Sequence, residues 1–69
     1  MKEFTVVLNG ELHRLSGAPS LEDLLSQLEL DPRAVVVELN RRIVRKQELA
    51  VTRLAEGDAI ELVHFVGGG

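Results

Sequence analysis

No cysteine, tryptophan or tyrosine occurs in this 69-residue sequence. Disulfides and thiolate metal sites are thereby excluded, and the two histidines, His13 and His64, are too few for a convincing metal centre. Aromatic residues are limited to Phe4 and Phe65, so stability has to come from aliphatic packing in a chain that is 45% hydrophobic and rich in Leu and Val. No apolar run approaches the roughly 20 residues of a membrane-spanning helix. Met1-Lys2-Glu3-Phe4 does not begin a signal peptide, and a cytoplasmic protein is expected. Basic residues are in the minority: 8 against 11 acidic ones, a net charge of −3, which argues against phosphate-backbone binding and therefore against nucleic acid as a partner. A chain this short buries only about 60% of its unfolded surface and has room for one domain.

What is present reads in order. Phe4-Thr5-Val6-Val7-Leu8 is β-branched and aromatic, and Asn9-Gly10 behind it is a hairpin signal, because a type I′ turn needs positive φ at both central residues. Parity places Phe4, Val6 and Leu8 on one face, assigned to the core. The return strand, Glu11 to Leu15, is ambiguous: Leu12 and Arg14 share one side, His13 and Leu15 the other. Ser16-Gly17-Ala18-Pro19 breaks the strand pattern. Ser20 is a good N-cap for a helix beginning at Leu21, with Glu22 and Asp23 near its positive end. Leu21, Leu24, Leu25 and Leu28 fall at i, i+3, i+4 and i+7, one apolar stripe, and Asp31-Pro32 is expected to end the helix.

The stretch from Ala34 to Leu39 is nearly all apolar, as befits a strand inside a sheet. Asn40-Arg41-Arg42 reads as a turn into a short strand at Ile43-Val44. Arg45 to Leu54 has no clean period and reads as short turns or a 3₁₀ piece. Arg41, Arg42, Arg45 and Lys46 form a small basic cluster, read as a solvated loop. Glu56-Gly57-Asp58 is a turn that launches the last strand, Ala59 to Val66, into Gly67-Gly68-Gly69. Residues 1–66 are thus expected to form the domain and residues 67–69 a flexible tail. Glycine has no Cβ, so such a tail passes through a channel too narrow for other residues and brings the Gly69 carboxylate to a partner's active site.

The order is hairpin, helix, strand, short strand, irregular crossing and last strand, an α+β domain. Asn9-Gly10, Gly17-Ala18-Pro19-Ser20-Leu21 through Leu24-Leu25, Val37-Glu38-Leu39-Asn40 with Ile43-Val44-Arg45, Glu56-Gly57-Asp58 with Ile60-Glu61-Leu62, and terminal Gly68-Gly69 together carry a resemblance over essentially the whole chain. With them the sequence resembles the ubiquitin-like β-grasp fold and, more narrowly, the ThiS sulfur-carrier family of thiamin biosynthesis. One departure is Gly67 before the usual pair, which lengthens the segment free of side chains.

That resemblance implies a mixed sheet of four to five strands with one main helix packed across it. It also implies that an E1-like (ThiF-like) adenylyltransferase joins the Gly69 carboxylate to AMP, since a free carboxylate is a poor acyl donor. A persulfide from a sulfurtransferase or cysteine desulfurase then displaces AMP, and the resulting C-terminal thiocarboxylate is delivered to a ThiG-like thiazole synthase. No cofactor is bound beyond that thiocarboxylate. The absence of a thiol fits this route, which leaves the main-chain terminus to carry sulfur.

Nothing in the chain looks catalytic: there is no phosphate-cradling glycine loop and no meaningful Ser/His/Asp spacing, so it reads as a protein co-substrate rather than an enzyme. Gly67 and Gly68 are expected to thread into the partner. With Ile60, Leu62 and His64 toward the helix, Glu61, Val63 and Phe65 face outward and are expected to form a docking surface. Alternatives are a carrier like the molybdopterin-synthase small subunit, a ubiquitin-like modifier of lysine amines, or a β-grasp binding module with an incidental tail.

Overall fold

A computed structural model describes residues 2–65. Two β-hairpins flank one helix in the chain: β1 (Glu3–Leu8), β2 (Glu11–Ser16), α1 (Leu21–Gln27), β3 (Val35–Leu39), β4 (Arg42–Val44) and β5 (Ala59–His64), with 3₁₀ turns at Pro32–Ala34 and Lys46–Glu48. The five strands form one mixed sheet in the order β2-β1-β5-β3-β4. β1 and β5 are parallel, and the other neighbours are antiparallel. β3 lies inside the sheet, as its apolar run requires, while β5 takes the middle position.

Both hairpins close through two-residue turns with positive φ at each central position: Asn9 (49°) and Gly10 (85°), then Asn40 (53°) and Arg41 (71°). This is the type I′ geometry whose twist matches the strands it joins. The ambiguous return strand is resolved by its register. Leu15 stands opposite Phe4 and is buried with Val6, while Leu12 faces solvent at 79% exposure.

α1 has only seven residues, too few to persist alone. Its N-terminus is held by a capping box: Ser20 Oγ accepts from Asp23 N–H at 3.1 Å and Asp23 Oδ2 accepts from Ser20 N–H at 2.9 Å. The next two N–H groups, of Leu21 and Glu22, donate to the carbonyls of Thr52 and Leu49. The segment without a clean period thus has a structural task. It also supplies Leu49 and Leu54 to the core formed with Val6, Leu15, Leu21, Leu24, Leu25, Val35, Val37 and Ile60.

The helix ends before the expected Asp31-Pro32 stop. Glu29 takes a left-handed φ of 59°, Glu29 N–H donates to the Ser26 carbonyl and Leu30 N–H to that of Leu25, which is a Schellman ending. Pro32 instead opens the 3₁₀ turn, with Asp31 as its cap. Glutamate gains nothing from positive φ, so Glu29→Gly is expected to stabilise the domain by roughly 0.5–1 kcal/mol. In a domain this small that raises Tm by about 2–8 °C, measurable by thermal unfolding followed by circular dichroism.

Candidate functional site

The site is the far end of β5 and the sheet face beside it. Two asparagines set that strand in place from opposite sides. Asn40 donates its backbone N–H to the Ala59 carbonyl at 2.7 Å, its Oδ1 accepts from Ala59 N–H, and its Nδ2 reaches Asp58 Oδ1. Asp58 Oδ2 in turn accepts from Ala55 N–H at 2.8 Å. On the other side Asn9 donates its N–H to the Ile60 carbonyl, and its Oδ1 accepts from Leu62 N–H at 2.8 Å. Both residues were legible as turn formers, but a hydrogen bond across 53 sequence positions leaves no trace in local pattern.

The period-2 assignment of β5 holds in its geometry. Ile60 is buried, Leu62 packs against the core, and His64, exposed, borders the groove on that same side with Leu28 and Leu30. Val63 and Phe65 are exposed at 54% and 58%. Glu61 is exposed too. The strand is shorter than the apolar run: it stops at His64, although Phe65 N–H still donates to the Ala34 carbonyl at 2.8 Å.

Residues that sequence pattern did not single out complete the outer face. Val36 lies opposite Val63, Glu38 opposite Glu61, and Ile43 opposite Glu38. Phe65 lines a shallow groove with Val36, Ile43 and Arg45. Exposed Ile43 therefore joins Val36, Val63 and Phe65 in one apolar patch next to the point where the chain leaves the sheet. Cross-strand register between segments distant in sequence builds this patch, so only the pairing reveals it.

Charges frame the face. Arg41, Arg42, Arg45 and Lys46 are all exposed, as a solvated cluster would be. Among the described residues the ion pairs are Glu3–Arg14 and Asp31–Arg33, so neither Glu38 nor Glu61 is in an ion pair there. The hydrogen bond from the Arg33 guanidinium, aided by Arg33 N–H, holds the Asp31 carboxyl below its ordinary range, and the same contact raises Arg33. Both groups are solvent-exposed, and the pair fastens the 3₁₀ turn whose last residue, Ala34, receives Phe65. The expected threading residues Gly67 and Gly68, and the expected reacting residue Gly69, lie outside the described residues.

One helix across a five-stranded mixed sheet, with parallel β1 and β5 adjacent, is the ubiquitin-like β-grasp architecture. The profile of the ThiS family matches residues 6–69. The chain belongs to the ThiS family. It is 42% identical over 50 residues to the sulfur carrier protein ThiS of Bacillus subtilis, covering 72% of this chain and 76% of that one. The crystal structure of the thiamine biosynthesis protein ThiS from Geobacter metallireducens superposes with a TM-score of 0.81 at 30% identity, over 96% of this chain and 100% of that one. A thiazole synthase of Paramagnetospirillum magneticum is 42% identical over 64 residues, 93% of this chain. The chain spans about a fifth of the length of that enzyme, 20%. No helix among the described residues is long and apolar enough to cross a membrane.

Proposed function

We propose that this chain carries sulfur as a thiocarboxylate on Gly69, and that thiazole synthase receives it. The observation that carries the reading is a β-grasp domain whose middle strand runs, past Phe65, toward a terminal run of three glycines, in a chain of the ThiS family. The chain acts as a protein co-substrate in the cytoplasm and holds no resident cofactor.

The chemistry follows from the carboxylate. An E1-like, ThiF-like adenylyltransferase brings ATP, a Gly69 oxygen attacks the α-phosphorus, and pyrophosphate leaves. The acyl-adenylate then loses AMP to the terminal sulfur of a persulfide. Reductive cleavage of the resulting acyl disulfide by a second thiol leaves the thiocarboxylate, and the persulfide originates from a sulfurtransferase or cysteine desulfurase. Gly67 and Gly68 supply the bare backbone that enters the partner's channel. Thiazole synthases that contain a segment similar to this chain support the choice of acceptor, because tethering a carrier to its acceptor makes delivery intramolecular.

Val63 and Phe65 form the docking surface, with Glu61 beside them. Glu61 and Glu38 stand directly opposite each other with no ion-pair partner among the described residues, an arrangement of like charges that costs stability and suits a partner presenting Lys or Arg there. Phe65→Ser is expected to weaken binding to the adenylyltransferase by roughly 10-fold or more, as loss of an aromatic anchor does, without shifting Tm, since Phe65 is 58% exposed. Isothermal titration beside thermal unfolding measures both. The reading as a whole is tested by intact-mass analysis after incubation with ATP, the adenylyltransferase and a sulfur donor. Replacement of one C-terminal oxygen by sulfur is the expected result, and an unchanged C-terminal peptide overturns it.

A further inference from the structure

β5 is the middle strand, yet half of one edge is bare. Its backbone groups alternate between neighbours: Ala59 and Phe65 bond toward β3, Ile60 and Leu62 toward β1 and the turn that follows it. Pairing on the β3 side continues to Val35↔His64. On the β1 side the strands pair only at Val7↔Ala59 and Leu8↔Ile60, because the chain turns away at Asn9-Gly10. The Asn9 side chain serves Leu62 N–H, and there the ladder stops. The Leu62 carbonyl and the N–H and carbonyl of His64 point the same way and have no partner among the described residues.

Proteins usually protect such an edge with a lysine, a proline or a bulge, and Leu62-Val63-His64 has none of these. Next to it lies a groove of about 370 Å³ walled by Leu8, Leu28, Leu30, Val35 and Leu62. Leu28 and Leu30, at the Schellman ending of α1, form its wall on the helix side.

We infer that the Leu62–His64 edge accepts an extended segment of the enzyme that adenylates Gly69. That segment adds to the sheet in the row β1 vacates and sends an apolar side chain into the groove. The bare groups define the occupant's chemistry, because an amide donor and two carbonyl acceptors on one strand edge are matched by extended backbone. The span of the chain points to an enzyme that works on Gly69, and the need to hold the glycine tail in line with a phosphate selects the adenylating one among these. From His64 to Gly69 is five residues, at most about 18 Å when extended, so a strand paired at His64 lies within that distance of the reacting carboxyl carbon. Pairing there fixes the direction in which the last residues leave the sheet. That offsets part of the entropy lost when glycine backbone is held in line with a phosphate.

The inference rests on the sulfur-carrier reading, and the test separates the two. His64→Pro removes the free N–H without breaking a bond to β3, since edge positions with an outward N–H tolerate proline. The ¹⁵N chemical shifts of the variant report whether it folds. If it does not, a synthetic chain with an ester in place of the amide between Val63 and His64 removes the same donor. Expected results are wild-type loading by the ThiF-type adenylyltransferase, at least a 10-fold weaker Kd for the modified chain, and at least 10-fold slower hydrogen exchange of the His64 amide in the wild-type complex. Unchanged Kd in a folded modified chain, unprotected His64 in the complex, or protection only by thiazole synthase overturns the inference and leaves the carrier reading standing. Failure of the wild-type chain to load overturns both.

Discussion

Deletion of Gly69 is expected to abolish thiocarboxylate formation and to leave the unfolding transition where it was. The shortened chain still ends in a glycine carboxylate, so its intrinsic reactivity is unaltered. What changes is reach: one residue shortens an extended chain by about 3.5 Å. Near-attack geometry places reacting atoms about 3–3.5 Å apart, and misplacement by 1 Å already costs on the order of 100-fold. Loading is therefore expected to fall by at least about 100-fold, read as the fraction of chain whose C-terminal peptide gains sulfur. The fold is indifferent to this deletion because the buried core runs from Val6 to Ile60. A loading rate within a few-fold of wild type would show that the active site follows the carboxylate wherever it ends, and the fixed-register account would fall.

The second large effect lies in the core. Leu24 is fully buried, on the central turn of a seven-residue helix flanked by equally buried Leu21 and Leu25. Leu24→Ala is expected to destabilise the domain by about 3–4 kcal/mol, from lost transfer free energy together with the cavity left behind. A domain of 69 residues has roughly 3–10 kcal/mol in total. Tm should thus drop by about 12 °C or more, or the chain should be unfolded at room temperature. Urea and thermal denaturation followed by circular dichroism measure it. Leu12→Ala supplies the contrast. That leucine is 79% exposed on β2, and its removal is expected to change stability by no more than about 0.5 kcal/mol. Equal losses from both variants would mean that the helix is not what closes the core.

The two leucines also show what local pattern can convey. The stripe Leu21, Leu24, Leu25 and Leu28 was legible because a helix imposes its own period, whatever it packs against. Asn9-Gly10 was legible because few residue pairs tolerate two successive positive φ values. Leu12 and Leu15, by contrast, look alike in the sequence. Which of them is buried follows from pairing with β1, where Leu15 meets Phe4 and Leu12 meets Val7. Leu49 and Leu54 reach the core from a segment without period, so nothing local marked them. The helix ends before Asp31-Pro32 because Glu29 occupies a left-handed position that glycine or asparagine would have advertised.

The candidate site divides the same way. The run of three glycines was legible as a stretch free of side chains, because that is a property of the residues themselves. Outward-facing Val63 and Phe65 followed from strand period alone. The apolar patch they share with Val36 and Ile43, the opposed Glu38 and Glu61, and the bare edge beyond Leu62 were decided by the tertiary structure. Each depends on which strands become neighbours and where a neighbour ends. Those are long-range pairings, set by the collective burial of one apolar face, and no local stretch of sequence contains them.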